Sequence, residues 1–155
     1  MEKDLINLVY LSLGSNIGDK KKYIDKAIDI LNTRIGKITN QSKYHTTPAV
    51  DMPNADDFVN VCVELQTIFK PEELLNQLKI IEIELGRDKN SKGKNKSRKI
   101  DLDIIFFNQL IYSSKELIIP HPRYHLRKFV LIPLIEIAPR ICDPSLKLSL
   151  KELIN

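Results

Sequence analysis

The spacing of apolar and polar positions changes repeatedly along this chain, and each change marks an element. Residues 5–13, LINLVYLSL, are almost continuously apolar and bounded by Gly14, which predicts a buried strand. GSNIGD then leads into KKKYIDKAIDILNTR, where Ile24, Ala27, Ile28 and Leu31 recur at helical spacing. Asp19 is placed to cap that helix, which helps because three lysines in a first turn oppose the helix dipole. Residues 36–46 predict a second strand with a weaker pattern, and Thr47 to Asp57, holding Pro48 and Pro53, reads as a loop. FVNVCVELQT is a third strand with Val59, Val61, Val63 and Leu65 on one face and Phe58, Asn60, Cys62 and Glu64 on the other.

A second helix follows. Pro71 suits its first position, Glu72 and Glu73 favour its positive end, Leu74, Leu78, Ile81 and Leu85 form a buried stripe, and Gly86 can close it. After a lysine-rich loop, IDLDIIFF predicts a fourth strand. The tail adds a hairpin near 110–119, an IPHPRYHLR turn and a short helix near 128–136. The order strand–helix–strand–strand–helix–strand predicts an α+β fold: a ferredoxin-like antiparallel sheet flanked by helices, with a C-terminal extension. No repeat or linker interrupts the 155 residues, so a single domain spanning 1–155 is expected.

Composition narrows the function classes. With 43% apolar and 28% charged residues the chain is an ordinary soluble type, and 24 basic against 20 acidic residues leave +4. That charge is concentrated. From Arg87 to Lys99 there are seven positive residues and one negative, Asp88, a net +6 that leaves the rest at −2. A general polyanion-binding surface is therefore disfavoured. Cys62 and Cys142 are too few for a disulfide framework and lack metal spacing, and Cys62 in VNVCVEL reads as a buried thiol. No apolar run approaches the ~20 residues that span a bilayer, and the first residues read as a strand rather than a signal peptide. A cytoplasmic protein is expected.

Several groups could carry chemistry. Asp101 and Asp103 occupy i and i+2 of the fourth strand, so both carboxylates project from one face, roughly 6.6 Å apart along the chain. Such a pair is either a solvated strand entrance or a site for a hard divalent ion such as Mg²⁺, particularly beside a polyphosphate. Ile105 and Phe107 are expected to continue that face as an apolar surface. The basic loop ends two residues before Asp101 and can fold over a triphosphate, with Arg87 and Arg98 at its ends placed for bidentate phosphate contact. GSNIGD matches neither GxGxxG nor GxxxxGK[ST] and reads as a tight turn with a helix cap. Asn60, a structural amide on the plainest reading, also suits the edge of a heterocycle, with Phe58 offering a stacking face. Glu82 borders the buried stripe, where a surface acid is the plain reading. His121 and His125 have a spacing seen in zinc sites, but Pro122 disfavours a regular helix between them. With Arg123 and Arg127 they read better as cationic groups for phosphate, near Phe129 as an apolar wall.

LSLGSNIGD at 11–19, YHTTP at 44–48, DFVNVCVEL at 57–65, PEELLNQLKIIEIELGR at 71–87, RKIDLDIIFF at 98–107 and IPHPRYHLRKFVLIPLIEIAP at 119–139 together resemble the 6-hydroxymethyl-7,8-dihydropterin pyrophosphokinase family. The segments appear in family order and cover nearly the whole chain. The resemblance implies a Mg-dependent diphosphotransferase of folate biosynthesis, moving the β,γ-pyrophosphoryl unit of ATP to the pterin hydroxymethyl group and releasing AMP. It implies that Asp101 and Asp103 hold two Mg²⁺ ions against the ATP phosphates, and that Arg87 and Arg98 contact phosphates and stabilise charge at the transferring group. Asn60 would read the pterin edge, Phe58 and Phe129 would enclose its ring, and Thr47 and Val50 would give backbone contacts. Glu82, His121 and Arg127 would complete the nucleotide surroundings. The expected partners are ATP and 6-hydroxymethyl-7,8-dihydropterin, with no nucleic acid and no membrane, and a monomer without fused folate-pathway domains. Two departures stand out. Asn95, Lys96 and Ser97 replace a common Trp-Gly-Pro run in a loop about one residue longer, and Asp51 and Ala55-Asp56 stand where relatives often have Gly and Gln-Pro.

Two other classes fit less well. A metal-dependent nucleotidyltransferase joins a Gly-Ser turn to a D-x-D strand about a dozen residues on, whereas Ser15 and Asp101 are 86 apart. An RNA-binding ferredoxin-like module would carry the aromatic RNP pattern, which is absent.

Overall fold

Both faces of the first strand are covered, which explains its nearly continuous apolar run. The computed structural model describes residues 5–48, 57–86 and 99–154. In it β1 (Asn7–Ser15) pairs antiparallel with β4 (Phe58–Thr67) on one edge and β5 (Asp101–Phe107) on the other. β2 (Lys37–Gln41) and β3 (His45–Thr47) both pair with β4, giving the order β2-β4-β1-β5 with β3 beside β4. β1 starts two residues later than the sequence predicts, since Leu5 and Ile6 are exposed, and it runs on through Gly14 and Ser15. The turn falls instead at Gly18, whose φ of 67° favours glycine. Asp19 then caps α1 (Lys20–Ile30), accepting the Lys22 N–H at 3.2 Å.

The predicted strand 36–46 is two strands. Ser42 donates its N–H to the Cys62 carbonyl, but its hydroxyl, not its carbonyl, accepts the Cys62 N–H at 3.0 Å. The side chain thus takes the place of a ladder bond, and the strand breaks there. Thr47, expected in the loop, closes β3 opposite Phe58. The rest of that loop lies outside the described residues.

Helices cover the sheet from both sides. α1 and α2 (Pro71–Glu84) bury Ile24, Ala27, Leu74, Leu78 and Ile81 against the inward residues of β1, β4 and β5. Leu85, expected in that stripe, is only partly buried. Pro71 opens α2, Glu73 accepts the Lys70 N–H at 2.9 Å, and Gly86 follows with φ 103°. On the other face α3 (Lys128–Ile137) packs Val130, Leu131 and Leu134 on Tyr10, Cys62, Ile105 and Phe106. The β1–β5 register skips Ile105, so Ile105 and Phe106 both face α3 while Phe107 turns to the α1/α2 layer. The expected Ile105–Phe107 face is therefore broken by a bulge. β6 (Tyr112–Ser113) and β7 (Ile118–Ile119) form the predicted hairpin, and α4 (Leu150–Leu153) closes the chain. Cys62 is buried and reduced. Among the described residues, no helix is long and apolar enough to cross a membrane.

The end of the first helical segment packs backbone to backbone on β4. A Cβ built on Gly36 would lie 1.9 Å from the Gln66 carbonyl oxygen. Gly36→Ala is expected to destabilise the fold by about 1–3 kcal/mol, the range for forcing atoms into filled space. The measurement is the urea midpoint, and an unchanged midpoint would contradict the close approach.

Candidate active site

Beyond the residues that pack on α3, the same sheet face carries polar residues at one end. Gly14 of β1 is the Cα partner of Asn60 on β4 and of Asp101 on β5. One step inward, Ser12 is the partner of Cys62 and Asp103. The amide and the first carboxylate thus face each other across two strand spacings, roughly 9–10 Å, with no side chain between. The room is deliberate: a Cβ on Gly14 would sit 3.0 Å from Asn60 Oδ1 and 3.8 Å from the Phe58 ring. The sequence places Gly14 at the strand's boundary; in the fold it is the floor of this row.

Asn60 is 3% exposed and fixed in orientation. Its Nδ2 donates to Thr47 Oγ1 at 3.0 Å, so the Thr47 side chain orients the amide. Phe58 is half-buried on the same face.

Asp101 and Asp103 are partly exposed on alternate positions, with Leu102 buried between them. Glu82 is not a surface acid. It is 2% exposed, and its carboxylate accepts the Leu102 N–H at 2.8 Å, pinning the backbone between the two aspartates. Among the described residues no group of three or more His, Cys, Asp or Glu could enclose a metal. Two carboxylates on one face nevertheless suit Mg²⁺, which keeps waters and takes phosphate oxygens rather than a closed protein cage.

The turn after β7 hangs on β5: the His121 N–H donates to the Ile105 carbonyl at 3.0 Å. His121 Nδ1 accepts the Arg123 N–H at 3.0 Å, which assigns the ring proton to Nε2. Burial, then the Arg127 charge, push this imidazole down to about 4, with Asp101 acting in the opposite sense. His121 is therefore neutral near pH 7, a correction to the cationic reading, and offers an Nε2–H donor. Arg127 supplies the charge and lies 5.9 Å over the Phe129 ring. The structure brings Arg127 and Asp101 each within electrostatic reach of His121. Arg87, Arg98, Val50 and the loop lysines before Lys99 lie outside the described residues. The Lys99 side chain, at the end of that loop, packs on Gly86 at its start: a Cβ on Gly86 would be 2.9 Å from Lys99 Cδ.

The family model for 7,8-dihydro-6-hydroxymethylpterin-pyrophosphokinase (HPPK) matches residues 10–139. The chain belongs to this family. It is similar to the 2-amino-4-hydroxy-6-hydroxymethyldihydropteridine pyrophosphokinase of Bacillus subtilis, with 38% identity over 87% of this chain and 80% of that protein. The enzyme of the same name from Porphyromonas gingivalis is also 38% identical, over 85% of this chain and 91% of its own length. The folic acid synthesis protein of Pneumocystis carinii is 41% identical over 92% of this chain, which spans only 19% of that protein. Among solved structures, the Plasmodium falciparum HPPK-DHPS with pteroate superposes with a TM-score of 0.79 at 17% identity. That match covers all of this chain and 43% of the other, and it shows the fold.

The HPPK match takes in this polar end of the sheet and α3, and within it two residues escaped sequence reasoning. Gly14 was hidden because a glycine next to GSNIGD looks like a turn; its partnership with Asn60 is visible only in register. Glu136, on α3, was one acid in the run EIAP, and nothing local marks its contacts across the fold.

Between His121's ordinary value of 6.5 and about 4, the unfolded chain binds a proton that the folded chain excludes. Stability is then lost as pH falls through that window. Urea midpoints followed from pH 6.5 down to 4 should fall more steeply for the wild type than for His121→Gln, and equal slopes would contradict the buried neutral ring.

Proposed function

We propose that this chain transfers pyrophosphate from ATP to 6-hydroxymethyl-7,8-dihydropterin in folate biosynthesis, releasing AMP and the pterin diphosphate. Membership of the pyrophosphokinase family supports the reaction, and the Asn60–Gly14–Asp101 row supports its placement. The succession β1-α1-β2-β4-α2-β5 with antiparallel neighbours further supports reading the core as a ferredoxin-like unit, with the residues after β5 as its C-terminal extension.

The pterin lies over Gly14. Asn60 keeps one amide hydrogen and its carbonyl for the heterocycle edge, because Thr47 takes the other hydrogen. Phe58 offers its face below, and Phe129 bounds the ring from α3. ATP lies toward β5, with the phosphates on Asp101 and Asp103. Two Mg²⁺ ions held by these carboxylates would neutralise phosphate oxygens and polarise the transferring phosphorus. Glu82 keeps the two carboxylates in place through the Leu102 backbone. His121 donates a neutral Nε2–H, and Arg127 adds a delocalised charge to the nucleotide side. Arg87 and Arg98, at the ends of the basic loop, spread charge over the transferring group. No side chain is needed as a dedicated base. Catalysis comes from positioning and charge neutralisation, as is general for phosphoryl transfer.

A nucleotidyltransferase is disfavoured, because Gly14 and Ser15 belong to β1 and Ser15 is fully buried rather than in a phosphate-binding turn.

Incubation with Mg²⁺, ATP and 6-hydroxymethyl-7,8-dihydropterin should yield AMP and pterin diphosphate in equal amounts. Free pyrophosphate with an AMP adduct, or no AMP, would reject the reading. Asp101→Ala and Asp103→Ala should each lower turnover by about a thousandfold or more while leaving the fold intact. Near-normal rates in either variant would remove the metal assignment. Gly14→Ala should raise the KM for pterin more than that for ATP, and parallel changes would move the pterin away from Gly14.

A further inference from the structure

β3 is three residues long and lies off the main path of the sheet, yet it carries the side chain that orients Asn60. Three register pairs join it to β4: His45 opposite Asn60, Thr46 opposite Val59 and Thr47 opposite Phe58. So short a strand needs a second anchor, and α3 supplies one. One carboxylate oxygen of Glu136 accepts the Lys43 backbone N–H, and the other lies 3.1 Å from His45 Nε2. The side chains of His45 and Glu136 are each about 30% exposed, at 28% and 31%, so water competes only partly with the pair. Glu136 belongs to the same helix as Phe129, and Arg127 precedes that helix directly. A single helix therefore carries the nucleotide-side residues at its start and grips the pterin-side strand near its end.

We propose that Glu136 is a positioning residue for the pterin subsite. Its carboxylate bridges Lys43 and His45, and this sets β3 at the depth where Thr47 meets the Asn60 amide. The proposal rests on the pyrophosphokinase reading of the site. Glu136 touches neither substrate; it acts through β3. Losing it lets β3 settle differently, and the Asn60 amide then loses the partner that decides which edge it presents. The effect should therefore fall on pterin recognition and spare the aspartates on β5.

The test compares Glu136→Ala, Glu136→Gln and His45→Phe in steady-state kinetics and in equilibrium binding of 6-hydroxymethylpterin without ATP, followed by pterin fluorescence. In Glu136→Ala the KM and Kd for pterin should rise about tenfold or more, while the KM for ATP and kcat stay within about threefold. Glu136→Gln keeps an acceptor for the Lys43 N–H and an amide hydrogen for His45, and it should recover most of the loss. His45→Phe cuts only the imidazole contact, so its shift should be smaller and of the same sign; it carries the test if Glu136→Ala does not fold. Both KM values rising together, a loss in kcat alone, no rescue by Gln, or unshifted pterin binding would each overturn the proposal. A wild type that turns over normally beside unshifted variants removes only this inference. A wild type that binds no pterin and releases no AMP brings down the functional reading itself.

Discussion

Nine consecutive antiparallel pairs tie β1 to β4, from Asn7–Thr67 to Ser15–Val59, while β5 docks on the opposite edge of β1. Because side chains alternate between faces, a slip of one residue on either edge would exchange core and site at every position. The helix layer prevents it. Val9, Leu11 and Leu13 are each fully buried, and none could be turned outward without losing its contacts. That packing fixes where Gly14 lies, and so fixes Asn60 and Asp101 on either side of it. The chemistry depends on a register held by residues on the opposite face.

The second layer defines the site by where it stops. α3 and Tyr124 cover Tyr10, Cys62, Ile105 and Phe106, and the bulge at Ile105 turns two consecutive apolar side chains toward them. Tyr124 is held there by its hydroxyl, which donates to buried Asp143 at 2.5 Å, and by an edge-on contact with Phe106. Beyond the bulge the face becomes Asp103, Asp101 and Gly14. β5 is therefore apolar where α3 packs on it and acidic beyond that contact.

What the sequence disclosed and what it hid divide along physical lines. The alternation of β4, the stripe and cap of α2, the Asp19 cap and the shared face of Asp101 and Asp103 all follow from local periodicity, and all can be read without a fold. The break at Ser42 cannot, because it depends on a hydroxyl replacing a carbonyl in a ladder with a distant strand. The burial of Glu82 and the neutral state of His121 are set by neighbours 20 or more residues away or by the low polarity of the finished fold. The partnership of Asn60 with Thr47 required β3 to be recognised as a strand, and its three residues are too few to show a period. Val50 rests on family resemblance alone, and Arg87 and Arg98 on that and on their places at the ends of the basic loop.

The contact between Gly86 and Lys99 bears on how such a protein can change over time. Where the two stems of a twelve-residue segment already touch, lengthening it by one residue costs only about 0.1 kcal/mol of closure entropy. A missing Trp-Gly-Pro run and an extra residue can then accumulate in the segment as in an exchangeable part. Lineages sharing the same β1, β4 and β5 could differ mainly in this one segment.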